Sequence, residues 1–225
     1  MLRRHPVRIC ILLVIAPLFC FPQTNISGII NSYHKVVELL PAKSCVRVDN
    51  TSGLVINDMV MMVQMKGAVV NTNNNSGFGS VTSMNNAGNY EINFICSIRG
   101  DSVFFYKQIL QSYTVSDKVQ LVKIPSYGSA RVTDSLKAAP WDSASGKGGV
   151  LALSVSDDLI LNAPLWAGSK GFQGGSYALS GNSCSNFFPA SAYFYNASSL
   201  NPQDGAWKGE SIADLSMNYS GGKVR

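Results

Sequence analysis

The chain has 225 residues, of which 14% are charged and 46% hydrophobic, and its formal net charge is +5 at pH 7. Three of its 18 basic residues (Arg3, Arg4 and Arg8) lie at the start, which leaves 15 basic against 13 acidic residues in the remainder. This balance, without a basic run, argues against a nucleic-acid partner. The apolar content excludes a disordered chain, and abundant Asn, Ser and Gly are typical of an extracellular β-protein.

Residues 1–22 have the pattern of a secretory signal peptide. Behind the arginines, residues 9–21 carry no charge and are broken only by Pro17. A run of this length is too short to cross a bilayer, but it matches the apolar core of a signal. Cleavage is expected between Cys20 and Gln23, and no later segment is apolar for long enough to span a membrane. The sequence therefore predicts a secreted or cell-surface protein.

Two units are predicted for residues 23–125. Residues 23–44 are expected to be a linker with a short helix at 33–40 (YHKVVELL), ended by Pro41. Residues 45–125 are expected to form a β-barrel or sandwich domain, because apolar runs with period two alternate with turn residues. The predicted strands are 45–49, 54–56, 58–65, 90–98, 102–106 and 118–124, with a polar loop at 71–89.

Residues 126–225 are expected to form a glycine-rich β region. Glycine pairs at 148–149 and 174–175 enclose two short alternating apolar runs with a turn between them. Strands this short become stable when further strands or coils stack on them. The predicted fold class is all-β: a small barrel or sandwich, then the start of a glycine-rich β-solenoid or second sandwich, incomplete at the C-terminus. The side chains predicted to face inward are Leu151, Leu153, Val155, Leu159 and Leu161.

Three cysteines, Cys45, Cys96 and Cys184, remain after the signal peptide. An odd number cannot form a closed set of disulfides, so stability is expected to come from the apolar core. Cys96 is predicted to be a small buried hydrophobe, and a Cys45–Cys96 bridge stays an alternative for an exported protein. The residues predicted to share its inward face are Tyr90, Ile92, Phe94 and Ile98.

No residue is predicted to be catalytic, cofactor-binding or metal-ligating. His34 is the single histidine after the signal peptide and is expected at the surface or as a cap, since no nucleophile-turn motif accompanies it. Spacing leaves open a pairing of Glu91 with a remote aspartate for glycoside hydrolysis, but Glu91 is placed on the polar face of its strand. Asp157 and Asp158 are interpreted as turn residues rather than calcium ligands. The chain is expected to be no enzyme and to need no cofactor.

An aromatic cluster lies near the C-terminus of the chain. Its rings offer flat apolar faces with polar handles, which suit stacking on sugars. Burial of the cluster under a next coil is the alternative that the glycine-rich pattern favours. The cluster comprises Phe187, Phe188, Tyr193, Phe194 and Tyr195.

Four motifs in order carry a resemblance to a known group of proteins. They are NDMVMMVQMKGA at 57–68, NNAGNYE at 85–91, VQLVKIPSYGSARVT at 119–133 and APWDSASGKGGVLALSVSDDLILNAPLWAGSKGFQGG at 139–175. The chain resembles, over about residues 45–180, the amino-terminal part of large secreted adhesin-like proteins of gliding Bacteroidetes, which use type IX secretion. The resemblance implies a cell-surface location and a role in adhesion or gliding, and it implies no catalytic residues.

Three functions follow as expectations from the sequence. The leading one is a non-enzymatic module of a surface adhesin whose partner is an extracellular polysaccharide or a surface protein. The alternatives are a carbohydrate-active β-helix enzyme such as a polysaccharide lyase, and a structural cap of a longer solenoid. Convergence of Lys147, Asp157, Asp158 and Lys170 in one groove would favour the enzyme, and their dispersal the adhesin.

Overall fold

The structure is a computed structural model that describes residues 23–71, 76–77, 79–174 and 210–213. It confirms the all-β fold class, and within the described ranges no helix is long and apolar enough to cross a membrane. Two 3₁₀ turns lie at Pro41–Lys43 and Val115–Asp117. The strands are β1 Thr24–Gly28, β2 Tyr33–Leu40, β3 Cys45–Val48, β4 Met59–Gln64, β5 Val69–Val70, β6 Val81–Ser83, β7 Tyr90–Arg99, β8 Ser102–Phe105, β9 Val119–Ile124, β10 Ser126–Tyr127, β11 Ala130–Lys137, β12 Ser154–Val155, β13 Leu159–Leu161 and β14 Leu165–Trp166.

Six antiparallel strands close into a barrel in the order β2-β3-β8-β7-β4-β9. Closure leaves the barrel without a free edge, and alternate residues of each strand fill its interior. Of the two architectures predicted for this part, the structure has the barrel. Its buried core consists of Val36, Val46, Val48, Leu54, Val60, Met62, Ile95, Val103, Phe105, Val119 and Leu121.

The prediction of a linker with a short helix at 23–44 is wrong. Residues 33–40 form strand β2, which pairs with β9 at one end and with β3 at the other and so closes the barrel. Val36 and His34 point inward and are buried, which follows period two rather than the helical period. The barrel therefore begins at Tyr33 rather than Cys45. Of the other predicted strands, 54–56 is a loop, although Leu54 packs in the core.

The inward face predicted for β7 is wrong for Tyr90, Ile92, Phe94 and Cys96, whereas Ile98, beyond a register shift, packs on the core as predicted. Asn93 pairs with Val60 of β4, whose side chain is fully buried, so Asn93 and Ile95 face the core. A register shift between Ile95 and Ser97 then changes the phase of the strand. Cys96 lies at this shift and is exposed, whereas Cys45 is buried, and both are free thiols rather than a bridged pair.

The second region is a stack of parallel strands against the barrel. Strand β11 lies between β1 and β13 and also pairs with β14, while β10 pairs with β12. As predicted, Leu151, Leu153 and Val155 pack on the buried core of this stack. The inward pattern does not extend to β13, where Leu159 and Leu161 are exposed. Continuation of the stack as a solenoid or second sandwich stays a prediction.

Buried amide and phenol groups join the barrel to the stack. On β9, the Gln120 amide donates to the Gly148 carbonyl oxygen and accepts from the Gly148 N–H, both at 3.0 Å. Asn31 makes the same two-way exchange with the backbone of Ala152. The Tyr33 hydroxyl donates to the Val150 carbonyl oxygen. The two amide side chains thus bond to the backbone of the stack as a neighbouring strand would, and with Tyr33 they fix which residues of the stack face the barrel.

A second junction, the Glu210 clasp, is formed by Lys66, Trp141, Gln173 and Glu210. The Lys66 ammonium lies 2.7 Å from a Glu210 carboxylate oxygen, and their side chains are only 9% and 11% exposed. The Trp141 indole N–H donates to both carboxylate oxygens at 2.9 Å, and the Gln173 N–H donates to one at 3.1 Å. Burial by itself would raise the pKa of Glu210, but these donors and the Lys66 charge hold it below the ordinary value.

Replacing Gly148 with alanine is expected to destabilise the protein strongly. Gly148 has a φ of +99°, and an added Cβ would lie 2.2 Å from the Pro140 carbonyl oxygen. Gly53 is a matched control, since its φ is +78° but nothing lies within 4 Å. We expect Gly53→Ala to lower the free energy of unfolding by about 1–2 kcal/mol because of its positive φ. Gly148→Ala should lower it by about 1–3 kcal/mol more because of the overlap with Pro140. Urea unfolding measures both, and equal losses would contradict this packing.

The Glu210→Gln substitution is expected to change both stability and its pH dependence. At pH 7 the free energy of unfolding of the variant should be lower by about 3 kcal/mol, because Lys66 keeps a buried charge without its partner. The pKa of folded Glu210 lies below the ordinary value of 4.5. The contribution of the Glu210 carboxylate to the free energy of unfolding is therefore complete above pH 4.5 and is lost as the pH falls through the lowered pKa.

Denaturant unfolding from pH 7 to pH 3 tests this. The difference between the parent chain and Glu210→Gln should be constant down to about pH 5 and then shrink. Glu38→Gln is the control, because the Glu38–Arg47 ion pair is 45% and 46% exposed and little of its attraction survives solvent screening. A difference that stays constant to pH 3 would refute the clasp.

Candidate functional site

The outer surface of the barrel has three different sides. The side around β9 is buried, and there Gln120 meets the stack. On β2, β3 and β8 the surface is charged: Arg47 makes ion pairs of 2.9 Å with Glu38 and with Asp101. On β7 the surface is apolar and exposed. The last side is the unusual one, because an exposed apolar patch marks a binding surface more often than the scattered apolar residues of an ordinary surface do.

We define the aromatic stripe as Tyr90, Ile92 and Phe94 of β7 together with Tyr106, which follows β8. Their exposed fractions are 60%, 49%, 37% and 61%. Alternate positions of a strand share a face, so the three β7 side chains stand in one row. The Tyr106 N–H donates to the Phe94 carbonyl oxygen at 3.1 Å, which sets Tyr106 beside the row. Its hydroxyl donates to the Asn57 side-chain oxygen at 3.0 Å.

The inner face of β7 holds the stripe in place. The Asn93 amide donates to the Lys107 carbonyl oxygen at 2.9 Å and accepts from the Lys107 N–H at 3.2 Å. One Glu91 carboxylate oxygen accepts from the Leu110 N–H at 3.0 Å. Inward-facing polar groups thus tie the loop after Tyr106 to the strand that carries Tyr90 and Phe94. Three of the four stripe side chains therefore stand on β7, and the loop that begins with Tyr106 is bonded to that strand.

A niche at the end of the barrel lies under this loop. Glu91 lines it with Asn93, so the prediction that Glu91 lies on the outer polar face of its strand is wrong. The second Glu91 carboxylate oxygen and the Tyr113 hydroxyl oxygen are both buried, and apart from each other they have no hydrogen-bond partner. Burial, and then the charge of Glu91, raises the pKa of the Tyr113 phenol far above its ordinary value. Glu91 belongs to the interior of the barrel rather than to an open cleft.

His34 is buried rather than on the surface, contrary to the prediction. It is 2% exposed on the inner side of β2, with its ring nitrogens 2.8 Å from the Asn50 carbonyl oxygen and 3.2 Å from the Ser32 hydroxyl. Burial lowers the pKa of this imidazole. In the described ranges no group of three or more His, Cys, Asp or Glu side chains is placed to hold a metal ion.

Lys147 and Lys170 lie near each other, because the N–H groups of Asp142 and Trp141 donate to their carbonyl oxygens. The two aspartates of the predicted groove lie at the other end of β11. Lys147 forms a 2.6 Å ion pair with Asp49 at the junction of barrel and stack. Asp157 and Asp158 lie at the corner between β12 and β13, where their backbone groups bond to Gly128 and Ala130. The four residues are therefore not gathered in one groove.

The structure identifies a surface that the sequence did not predict. The predicted sugar-stacking cluster at 187–195 lies outside the described residues. The aromatic stripe was missed because both alternating sets of β7 contain apolar residues, and the larger set was assigned to the core. One feature of the sequence favours the outward orientation of the stripe. The opposite orientation would bury the Tyr90 hydroxyl inside the barrel and expose the apolar Ile95.

This chain has two distant structural neighbours and no similar protein family. No protein family matches this chain, and no curated protein is similar to it in sequence. The chain is similar in structure to the gp54 tailspike of Acinetobacter baumannii bacteriophage AP22, solved with A. baumannii capsular saccharide, with a TM-score of 0.31 and 10% identity over 62% of this chain. It is also similar to the tailspike gp49 of Pseudomonas phage LKA1, with a TM-score of 0.29 and 11% identity over 61%.

This chain spans only 24% and 22% of those two tailspike chains. Because both TM-scores lie below 0.5, no function of this chain follows from either likeness.

The orientation of β7 predicts how the two thiols of the barrel react. In a chain of residues 23–225 with Cys184→Ser, Cys96 is exposed and should react at once with a thiol reagent such as DTNB. Cys45 should not react in the native state, since it is fully buried and burial raises the pKa of its thiol. We expect one thiol per native chain and two in denaturant. Loss of the native signal in Cys96→Ser identifies the residue, and a native Cys96 that does not react would contradict the orientation.

Proposed function

We propose that the chain is a non-enzymatic module of a secreted surface protein and that it binds carbohydrate through the aromatic stripe. The observation that carries the proposal is the exposed row of Tyr90, Ile92 and Phe94 on β7, with Tyr106 bonded beside it. An adhesive role, in attachment or gliding, is part of the same proposal and is supported by the resemblance of its motifs to adhesin-like proteins.

The chemistry of the stripe suits a sugar chain. A pyranose presents apolar C–H faces and a rim of hydroxyl groups, and aromatic rings offer flat apolar surfaces with polar edges. The hydroxyls of Tyr90 and Tyr106 and the Asn57 amide supply such polar edges. From Tyr90 to Phe94 the strand rises by about 13 Å, so the row contacts more than one sugar unit of an extended chain. A polysaccharide is therefore a better partner than a single monosaccharide.

The rigidity of the stripe also supports binding. Three of its side chains stand on β7, which is paired on both sides, and the buried Asn93 fixes the loop that begins with Tyr106 by two hydrogen bonds. A surface that is already ordered loses little conformational entropy when a ligand binds. Weak single contacts then add up along a repeated ligand, as adhesion requires.

Export is the second part of the proposal. Residues 1–22 supply the basic start and the apolar core of a secretory signal. An extracellular polysaccharide can be bound only by a protein that has been exported. The barrel also needs no disulfide to hold it, since Cys45 and Cys96 are free and its core is apolar.

Affinity electrophoresis in gels containing β-glucan, xylan, mannan or alginate tests the proposal. We expect retardation in at least one gel. Tyr90→Ser and Phe94→Ser each remove one stacking ring and should each raise the dissociation constant about tenfold. Val81→Ser is the matched control, because Val81 is 52% exposed on the separate β5–β6 hairpin. Binding that both stripe variants retain, or no retardation in any gel, would refute the stripe as the binding surface.

A further inference from the structure

Exposure of the outer side chains rises in steps across three neighbouring strands of the barrel. On β9 these side chains are at most 6% exposed, because the stack lies on that strand. On β7 they are the row of the aromatic stripe, with exposed fractions of 37% to 60%. On β4, which lies between the two, they are half-buried, so the cover formed by the stack ends over this strand. The outer side chains are Gln120, Val122 and Ile124 of β9 and Met59, Met61 and Val63 of β4.

Strand pairing places the β4 row directly beside the stripe. Met61 lies opposite Ile92 of β7 on one side and opposite Val122 of β9 on the other. Met59 lies opposite Phe94 in the same row. Because neighbouring strands are about 4.8 Å apart, the β4 row runs between the edge of the stack and the β7 row of the stripe.

We define the β4 crevice as the space over this row. Its floor is the β4 row, one wall is the β7 row of the stripe, and the other wall is the stack. The stack follows β9 along its length, since Gly148 is bonded to Gln120 and the Ser154 N–H donates to the Pro125 carbonyl oxygen just after β9. The floor is about 13 Å long and its walls stand on strands about 10 Å apart, which is the width of one extended chain.

The β4 crevice is uncharged along its length. The floor, the β7 row and residues 148–154 of the stack contain no charged residue. Charged groups of the described structure lie at the two ends: Asp58 is paired with Lys123 at 2.8 Å, and the Lys118 side chain lies against Gly146. A ligand with a carboxylate on every sugar unit would lose water in the middle of the crevice without gaining a cation there.

We infer that the β4 crevice is part of the proposed carbohydrate site and that it takes a single, extended, uncharged glycan chain. The inference rests on the proposed function and specifies its ligand. The stripe stacks on the apolar faces of the sugars, while the β4 row contacts the inner edge of the chain. Methionine is unbranched and polarizable, so this floor adapts to the outline of successive sugar rings.

Affinity electrophoresis in paired gels tests the charge of the ligand. The probes are β-glucan, xylan and mannan, each with its carboxymethylated form. The uncharged polysaccharide that retards the chain should bind at least about tenfold more tightly than its carboxymethylated form. Equal or tighter binding of the carboxymethylated form would overturn the inference and leave the stripe as a carbohydrate site. No retardation in any gel would overturn the proposed function and the inference with it.

Oxidation of the methionines by hydrogen peroxide, followed by mass spectrometry, locates the bound chain without any substitution. With the retarding polysaccharide at saturation, Met59 and Met61 should be oxidised at least about threefold more slowly than in the free protein. Met84 is the control, because it is 50% exposed in the loop after β6 and should be oxidised at an unchanged rate. A bound polysaccharide that leaves Met61 unprotected would sink the crevice but not the stripe.

A matched pair of substitutions gives a third readout. Met61→Gln keeps the length of the side chain but places an amide on the floor, and it should raise the dissociation constant about fivefold. Met84→Gln makes the same chemical change outside the crevice and should alter it by less than about twofold. Equal dissociation constants for the two variants would contradict contact between the chain and the floor.

Discussion

Burial of strand β9 on both faces is the constraint on which the rest of the structure depends. Val119 and Leu121 fill the barrel, while Gln120 faces outward and exchanges two hydrogen bonds with Gly148. A buried amide that lacks either bond loses about 1–3 kcal/mol, so the stack is held in the one register that satisfies Gln120. Gly148 accepts this position because it has no Cβ to meet the Pro140 carbonyl oxygen.

This packing decides what each side of the barrel is free to do. The stack covers the outer face of β9, and the ion pairs of Arg47 occupy the face of β3 and β8. The face of β7 is separated from β9 by β4 and remains open, so its large side chains meet solvent. The same junction places the stack of parallel strands beside the barrel, and the Glu210 clasp adds a second contact between them. The proposed binding surface and the junction with the stack therefore lie on different sides of the barrel.

Most barrel strands could be predicted because short apolar runs, some alternating and some continuous, are bounded by turn residues. Strands β3, β4, β8 and β9 lie where these runs placed them. Strand β2 could not, because eight residues with apolar positions three and four apart fit a helix as well, and only pairing with β3 and β9 selects the strand. The phase of β7 failed for a related reason. Asn93 looks like a surface residue until the backbone of Lys107 satisfies its amide.

Local chemistry in the sequence was enough for the all-β class, for the turn at Asp157–Asp158 and for the inward face of Leu151, Leu153 and Val155. These features depend on neighbours a few residues away, whose spacing is written in the chain. The exposure of the aromatic stripe, the burial of His34 and the clasp on Glu210 depend on partners that are far apart in sequence. Such contacts exist only after the chain has folded, so composition and periodicity carry no record of them. Tertiary packing alone decided which apolar face became core and which became surface.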